Sequence, residues 1–240
     1  MGTEISKAVD PVGAGRSIAS QFVPPLPLGL TAPPTEVKDG LIAIPQGVTR
    51  MKFRLVGGGG AGGNVYSPAF SSTSIGGGGG AGATVNATFR ITPGMTYTLT
   101  TGRGGKGERD GSASTASSIT RSDGVVIATA GGGSQGGVGM FPPGTGGDGG
   151  NAVLNETIEF TEVSINVQKG GNGMIDVFGE SGSGGKGADT PLSRGGAGAT
   201  FTTPAGNGGA PGAGGGGGFI RGVGERGGDG GDGVATVVWE

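Results

Sequence analysis

The sequence predicts an all-β protein in which a small β-sandwich layer is joined to a bundle of polyglycine II helices, with essentially no α-helix. Three observations support this class. Glycine supplies 63 of the 240 residues, several runs alternate apolar and polar residues, and no segment combines helical periodicity with helix caps. Ordering a glycine costs roughly 0.5–1 kcal/mol more than ordering an alanine. So many glycines therefore indicate places where no Cβ fits.

Alternation of apolar and polar residues locates the strands. In the run VTRMKFRLV (residues 48–56) every second residue from Met51 is apolar, as in a half-buried strand. The alternation returns in residues 85–91 and again in 97–99, on either side of Thr92-Pro93-Gly94, which predicts a β-hairpin. Further strands are predicted at residues 124–130, 158–167, 174–178 and 234–240, the last with Trp239 in the sheet core.

The longest glycine-rich stretch, residues 206–233, has a three-residue period. The glycines of this period that we assign a structural role are Gly206, Gly209, Gly212, Gly215 and Gly218. Three residues per turn is the period of the polyproline II helix, which makes no internal hydrogen bonds and must bond to its neighbours once water is excluded. We expect residues 206–218 to form one rod whose periodic glycines face neighbouring rods.

Residues 1–40 are predicted to be a proline-rich extended attachment arm, and residues 41–240 a glycine-rich β/polyglycine II domain. Six prolines in the arm favour polyproline II geometry without a packed interior. The apolar side chains among them have no internal partner and are predicted to dock on another protein; they are Phe22, Val23, Leu26, Leu28 and Leu30. A plain linker is the alternative.

Composition excludes several function classes. A net charge of −2 creates no long-range field that favours nucleic acid or an anionic membrane. The absence of Cys and His removes disulfides, thiol chemistry and every mechanism with an imidazole base. We therefore predict no enzymatic activity, no cofactor and no bound metal. Without an apolar run of 18 residues or a signal peptide, we also expect no membrane insertion and synthesis in a cytoplasm.

Two motif matches are attributed to the high glycine content. Residues 102–107 match the dinucleotide fingerprint, but no helix follows to bind a pyrophosphate. Asp229 and Asp232 lie in GGDGGDGVA, which fits the nonapeptide of calcium-binding β-helices, but those sites need adjacent tandem copies. We expect these Asp residues to solvate the outside of a glycine rod, with calcium near them as the alternative.

Taken in order, the strand and glycine motifs resemble one known family. The motifs are VTRMKFRLVGGGGAGG, GGGGGAGATVNATFRITPGMTYTLTTGRGGKG, GVVIATAGGGSQGG and GGDGGDGVATVVWE. Over residues 41–240 they resemble the glycine-rich domain of bacteriophage tail-fibre and adhesin proteins, and in size the chain resembles the small distal tail-fibre adhesins of T-even-type phages. The resemblance implies a short β-layer followed by bundled polyglycine II helices. It also implies that Val48 to Val56 pairs with Val234 to Trp239.

For function, the resemblance implies a virion receptor-binding protein at the tip of a tail fibre. The arm would attach it to another virion protein of the fibre or baseplate, and loops between glycine blocks would recognise a bacterial surface polysaccharide or an outer-membrane protein. A structural virion protein, such as a capsid decoration or fibre cap without receptor binding, is the alternative. Ice binding is a third class, disfavoured because bulky residues such as Phe219 and Arg221 interrupt the long glycine block.

Large side chains in loops between glycine blocks are the candidates for receptor contact. They are Tyr66, Phe70, Met140 and Phe141. Aromatic residues in polar loops on a rigid scaffold are favoured binding anchors, because they supply a large contact area at a low entropic cost. The alternative is that these side chains close the ends of the glycine bundle against water.

Overall fold

A computed structural model of the protein describes residues 35–37, 39–65, 73–107, 112–139, 143–175, 182–200, 202–221 and 226–240. The described residues form strands and extended segments and contain no helix. The strands are β1 Thr35–Val37, β2 Gly40–Ile42, β3 Arg50–Val56, β4 Thr73–Gly76, β5 Thr84–Arg90, β6 Tyr97–Thr100, β7 Ser117–Arg121, β8 Val126–Ala130, β9 Val138–Gly139, β10 Ala152–Leu154, β11 Phe160–Asn166, β12 Met174–Ile175, β13 Gly182–Ser183, β14 Phe219–Arg221 and β15 Val234–Trp239. The predicted all-β class is confirmed.

Two five-stranded antiparallel sheets form a sandwich. The first sheet has the order β1-β15-β3-β5-β11 and the second has the order β10-β8-β7-β6-β2. Strand β15 pairs with β3 in a continuous register from Val234 opposite Val56 to Trp239 opposite Met51. The expected pairing of the first long strand with the last one is therefore confirmed.

The hydrophobic core lies between the two sheets. The alternating residues of β3 are buried on one face and exposed on the other, as the sequence pattern requires. Phe53 and Phe89 of the first sheet meet edge to face at 6.0 Å between ring centroids, and Phe89 meets Tyr97 of the second sheet at 5.6 Å. Trp239 is 7% exposed and belongs to this core, as predicted.

The predicted hairpin around Thr92-Pro93-Gly94 is wrong. Strand β5 belongs to the first sheet and β6 to the second, so the turn carries the chain across the sandwich instead of pairing the two strands. Gly94 has φ +79°, a value that suits a tight turn at glycine. Alternation alone cannot separate the two outcomes, because the alternating apolar residues of both flanking strands are buried in the same core.

The second sheet also contains a strand that the sequence pattern did not indicate. Strand β7 was not predicted, because its sequence SSITR contains a single apolar residue, Ile119, which is fully buried. At the start of the domain, β1 pairs with β15 and β2 pairs with β6. These two short strands therefore belong to the two sheets of the sandwich.

Glycine-rich segments continue several strands beyond one end of the sandwich. Segments 57–63, 131–137 and 168–173 follow β3, β8 and β11 almost directly. Segments 77–83 and 227–233 run directly into β5 and β15. At the junction, the buried Ser117 hydroxyl donates to the Val56 carbonyl at 2.7 Å and accepts from the Gly102 amide at 2.8 Å. The molecule thus has a sandwich at one end and a glycine layer beyond it.

Across the described segments of the chain, no helix is long and apolar enough to cross a membrane.

Candidate functional site

Hydrogen bonds in the glycine layer repeat every third residue. The amides of Gly57, Gly60 and Gly63 donate to the carbonyls of Ala83, Gly80 and Gly77, at 2.8–3.0 Å. Along segment 77–83 the next bonds run in turn from residues 77, 80 and 83 to residues 137, 134 and 131. This spacing is the period of the polyproline II helix. The polyglycine II conformation itself remains a prediction about backbone dihedral angles.

Segment 77–83 and the residue before it show how the backbone amides and carbonyls of an interior segment are hydrogen-bonded. Its amides donate to segments 131–137, 168–171 and 212–218, and its carbonyls accept from segments 57–63, 147–150 and 185–188. Each neighbour takes the bonds of one face of the three-residue repeat. Backbone groups that would be costly to bury unpaired are therefore bonded directly to surrounding segments.

The close spacing of the segments explains why glycine is required. A Cβ on Gly59, Gly62 or Gly80 would lie well under 3.0 Å from a carbonyl oxygen of a neighbouring segment, and real Cβ atoms do not make such contacts. Because the obstructing atoms are backbone, they cannot move aside as a flexible side chain would. The glycine layer is therefore a packed array. Its segments approach closely enough to form hydrogen bonds because glycine has no side chain.

The expectation of one rod over residues 206–218 is wrong. The chain turns at residues 210–212, where Gly212 has φ +72°. The two halves lie antiparallel, since Gly216 donates to Gly206 at 2.9 Å and Ala213 donates to Gly209 at 3.1 Å. The glycine period continues across the turn, so a pattern count alone could not show where the rod ends.

The five periodic glycines nevertheless all lie in the array. A Cβ would lie under 3.0 Å from a neighbouring backbone atom at Gly206, Gly212 and Gly215. At Gly209 the nearest atom is the Arg194 carbonyl oxygen at 3.2 Å, so this position has more room. Gly218 donates to the Gly63 carbonyl at 3.0 Å.

Polar side chains replace missing backbone acceptors at the outside of the array. Asp229 Oδ1 accepts from the Gly107 amide at 2.8 Å, and Asp232 Oδ1 accepts from the Gly104 amide at 2.9 Å. The segment that matches the dinucleotide fingerprint is therefore bonded to these two carboxylates. Burial raises the pKa of Asp229, but the Gly107 amide and the Lys106 ammonium outweigh it and bring the pKa below its usual value.

Asparagine side chains do the same at other outer positions. Asn172 Oδ1 accepts from the Gly146 amide at 2.8 Å, and Asn207 Oδ1 accepts from the Asp229 amide at 2.9 Å. The role of these acidic and amide residues in the array explains their place in glycine-rich sequence. No group of three or more acidic side chains suited to a metal ion occurs in the part of the chain described above.

Two small sheets lie where the glycine segments end away from the sandwich. One has the order β14-β4-β9, and the other pairs β12 with β13. We call these five strands the tip. Ile75 of β4 and Phe219 of β14 are 0% and 3% exposed and form a second small core. A Cβ on Gly182 would lie 3.0 Å from the Phe219 ring and 3.3 Å from Ile75 Cδ1, so this core closes the end of the array.

The tip also exposes two large apolar side chains. Val138 of β9 is 57% exposed and Met174 of β12 is 67% exposed. Val138 is opposite Gly76, beside the buried Ile75, and Met174 follows Gly173, which packs on Ile75. Sequence reasoning did not single out either residue. Val138 directly follows a glycine block and Met174 begins a predicted strand, and neither position distinguishes an exposed residue from a buried one.

The candidates for receptor contact, Tyr66, Phe70, Met140 and Phe141, lie outside the described residues. The residues that flank them are described. Thr73 begins β4, which pairs with β9 at Ile75 opposite Gly139, directly before residue 140. The docking candidates Phe22, Val23, Leu26, Leu28 and Leu30 also lie outside the described residues.

An apolar groove of about 480 Å³ lies at the opposite end of the sandwich from the array, beside the 92–94 turn. Its apolar lining residues are Ile44, Val48, Ile91, Pro93 and Met95, with Arg90 as its charged member. Thr35 of β1 is opposite Val237, two residues before the buried Trp239. The chain thus enters the sandwich from the groove's end of the molecule.

One comparison with known proteins finds a match. A family model described as a glycine-rich domain matches residues 35–240. The matched region begins at Thr35, which is also the first residue of β1. A search of the curated proteins finds none that matches the sequence.

Proposed function

The chain belongs to the glycine-rich domain family, and from this premise and the geometry of the tip we propose that it is a receptor-binding protein of a bacteriophage virion. In this role it is the adhesin at the tip of a tail fibre. Segments between glycine blocks recognise a polysaccharide or protein on the bacterial surface. The arm before Thr35 attaches the chain to another virion protein.

The observation that carries the proposal is the exposure of Val138 and Met174 on the tip of a rigid array. Exposed apolar side chains on a well-ordered scaffold are favoured binding positions, because little conformational entropy is lost when a partner covers them. Interior segments of the array are bonded to neighbours on several faces. Loops that leave such a scaffold can vary in sequence without disturbing its fold.

A structural virion protein is the second candidate, and the buried pair Ile75 and Phe219 favours it. These side chains close the end of the array, which is what a fibre cap requires even without a receptor. The exposed Val138 and Met174 are not needed for closure. Their exposure therefore weighs toward a binding role.

Adsorption competition separates the two candidates. Purified chain is added to susceptible bacteria before the phage that carries it, and the rate of phage adsorption is measured. A receptor-binding protein should slow adsorption in proportion to its occupancy of the cell surface. Unchanged adsorption at saturating concentrations of folded chain would instead favour the structural role.

A further inference from the structure

Strand β11 presents an unusual edge of the first sheet. Among the described residues it pairs on one side only, with β5. Three branched apolar side chains at alternate positions, two in β11 and one directly after it, are about half exposed: Val163 at 48%, Ile165 at 49% and Val167 at 46%. Ile165 is opposite Val85, whose side chain faces the core, so the three form an apolar row along the open side of the sandwich.

The row lacks the features that normally protect a free edge. A bulge between Thr161 and Ser164, with Glu162 at φ 54° and paired to Lys52 at 2.5 Å, protects the first half of β11. Residues 163–167 contain no charge and no proline, and after the bulge residues 164–166 pair with β5 in a regular register. Natural edge strands usually carry one of these devices, because an unprotected edge pairs with another strand.

The segment is complementary to itself in one orientation. When VSINV is laid antiparallel on a second copy about Ile165, Val163 is opposite Val167 and Ser164 is opposite Asn166. Apolar residues then face apolar ones on one side of the extended sheet, and polar residues face polar ones on the other. In this orientation Glu162 of one copy is opposite Gln168 of the other, so the two Glu162 carboxylates are kept apart.

We propose that residues 163–167 form a symmetric interface with a second copy of this chain, in which the two β11 strands pair antiparallel about Ile165. The first sheets of the two copies then form one continuous sheet. Since segment 168–173 continues β11 into the array, the two tips point in opposite directions. This inference does not rest on the proposed function.

The interface is small. Pairing five residues buries much less than the roughly 1,600 Å² of a standard interface, so association is weak and favoured by high protein concentration. A chemical trap is therefore the sensitive test. The chain contains no cysteine, so that one introduced thiol gives an unambiguous cross-link.

The experiment compares Ile165→Cys with Val153→Cys. Val153 is 59% exposed on β10, at the edge of the second sheet, and serves as the matched control. Residues opposite each other in antiparallel strands have Cα atoms about 4.5–5.5 Å apart, within the range of a disulfide. Under mild oxidation, Ile165→Cys should form a disulfide-linked dimer at least about tenfold faster than Val153→Cys.

The register gives a second readout. A mixture of Val163→Cys and Val167→Cys chains should cross-link mainly to each other, while each alone should cross-link slowly. Equal rates for Ile165→Cys and Val153→Cys, or no preference in the mixture, would overturn the interface. So would sedimentation of the unmodified chain as a monomer up to about 1 mM, where even a weak dimer is populated.

Discussion

The amide of Gly215 donates a hydrogen bond of 2.9 Å to the carbonyl oxygen of Gly60, joining two glycine segments that are distant in sequence. On another face of Gly215, a Cβ would lie well under 3.0 Å from the carbonyl oxygen of Gly228. The residue can make the first contact only because it lacks a side chain. The stability of the array therefore depends on the absence of a methyl group at such positions.

Gly215→Ala and Gly209→Ala form a matched pair that tests this dependence. At Gly215 the added methyl group meets backbone and should lower the free energy of unfolding by about 3 kcal/mol or more, the upper range of overpacking effects. At Gly209 the nearest atom is 3.2 Å away, and we expect a change below about 1 kcal/mol. Thermal unfolding of the two variants measures the difference. Equal melting temperatures would show that the array is not tightly packed at Gly215.

Acid should weaken the hydrogen bonds that the carboxylates of Asp39, Asp189 and Asp229 accept in the folded state. The pKa of Asp189 is lowered first by the Gly195 amide and then by Lys186, and the pKa of Asp39 is lowered by Thr101. The pKa of Asp229 is also lowered. A carboxyl group with a lowered folded-state pKa stabilises the fold above its unfolded value of about 3.9, and this contribution is lost as the pH falls through the folded value.

The melting temperature should therefore decrease as the pH is lowered below about 4. A triple variant with Asp39→Asn, Asp189→Asn and Asp229→Asn should be less stable at pH 7 and should lose less stability between pH 5 and pH 2 than the unmodified chain. Melting curves measured across that range provide the comparison. If both proteins showed the same pH profile, these carboxyl groups would not be coupled to folding.

Truncation should locate the start of the domain. A chain that begins at Thr35 keeps β1 against β15 and should retain the melting temperature of the full chain. A chain that begins at Asp39 loses this strand and exposes one edge of the first sheet, so we expect it to melt several degrees lower. Incorporation of the Thr35 chain into virions then tests whether the arm attaches the protein. Normal incorporation would mean that attachment lies elsewhere.

Much of the sandwich could be predicted from sequence, because β3, β6 and β15 bury every second residue. The long strands around Phe53 and Val237 were identified in this way. The crossing between sheets at Gly94 could not, since a turn between two alternating strands has the same pattern whether they pair or face each other. Ile119 was missed because its strand buries a single large apolar residue between serines and threonines.

The glycine layer was predictable in kind but not in path. A three-residue period indicates an extended helix that needs neighbours, but it does not specify which glycine blocks become adjacent. The turn at Gly212 is an example, because the period continues through it. At the tip, Val138 and Met174 become candidates only when their exposure is known, since neighbouring Ile75 is equally apolar and fully buried.

Direct binding of the chain to bacterial cells tests the central claim, that the tip contacts a receptor. Fluorescently labelled unmodified chain, a Val138→Asp/Met174→Asp variant and a Val153→Asp control are titrated on susceptible cells. Val153 is 59% exposed, close to the 57% of Val138, and lies on the sandwich. The tip variant should remain folded and bind at least about tenfold more weakly, while the control should bind like the unmodified chain. Equal binding by all three folded proteins would contradict the central claim.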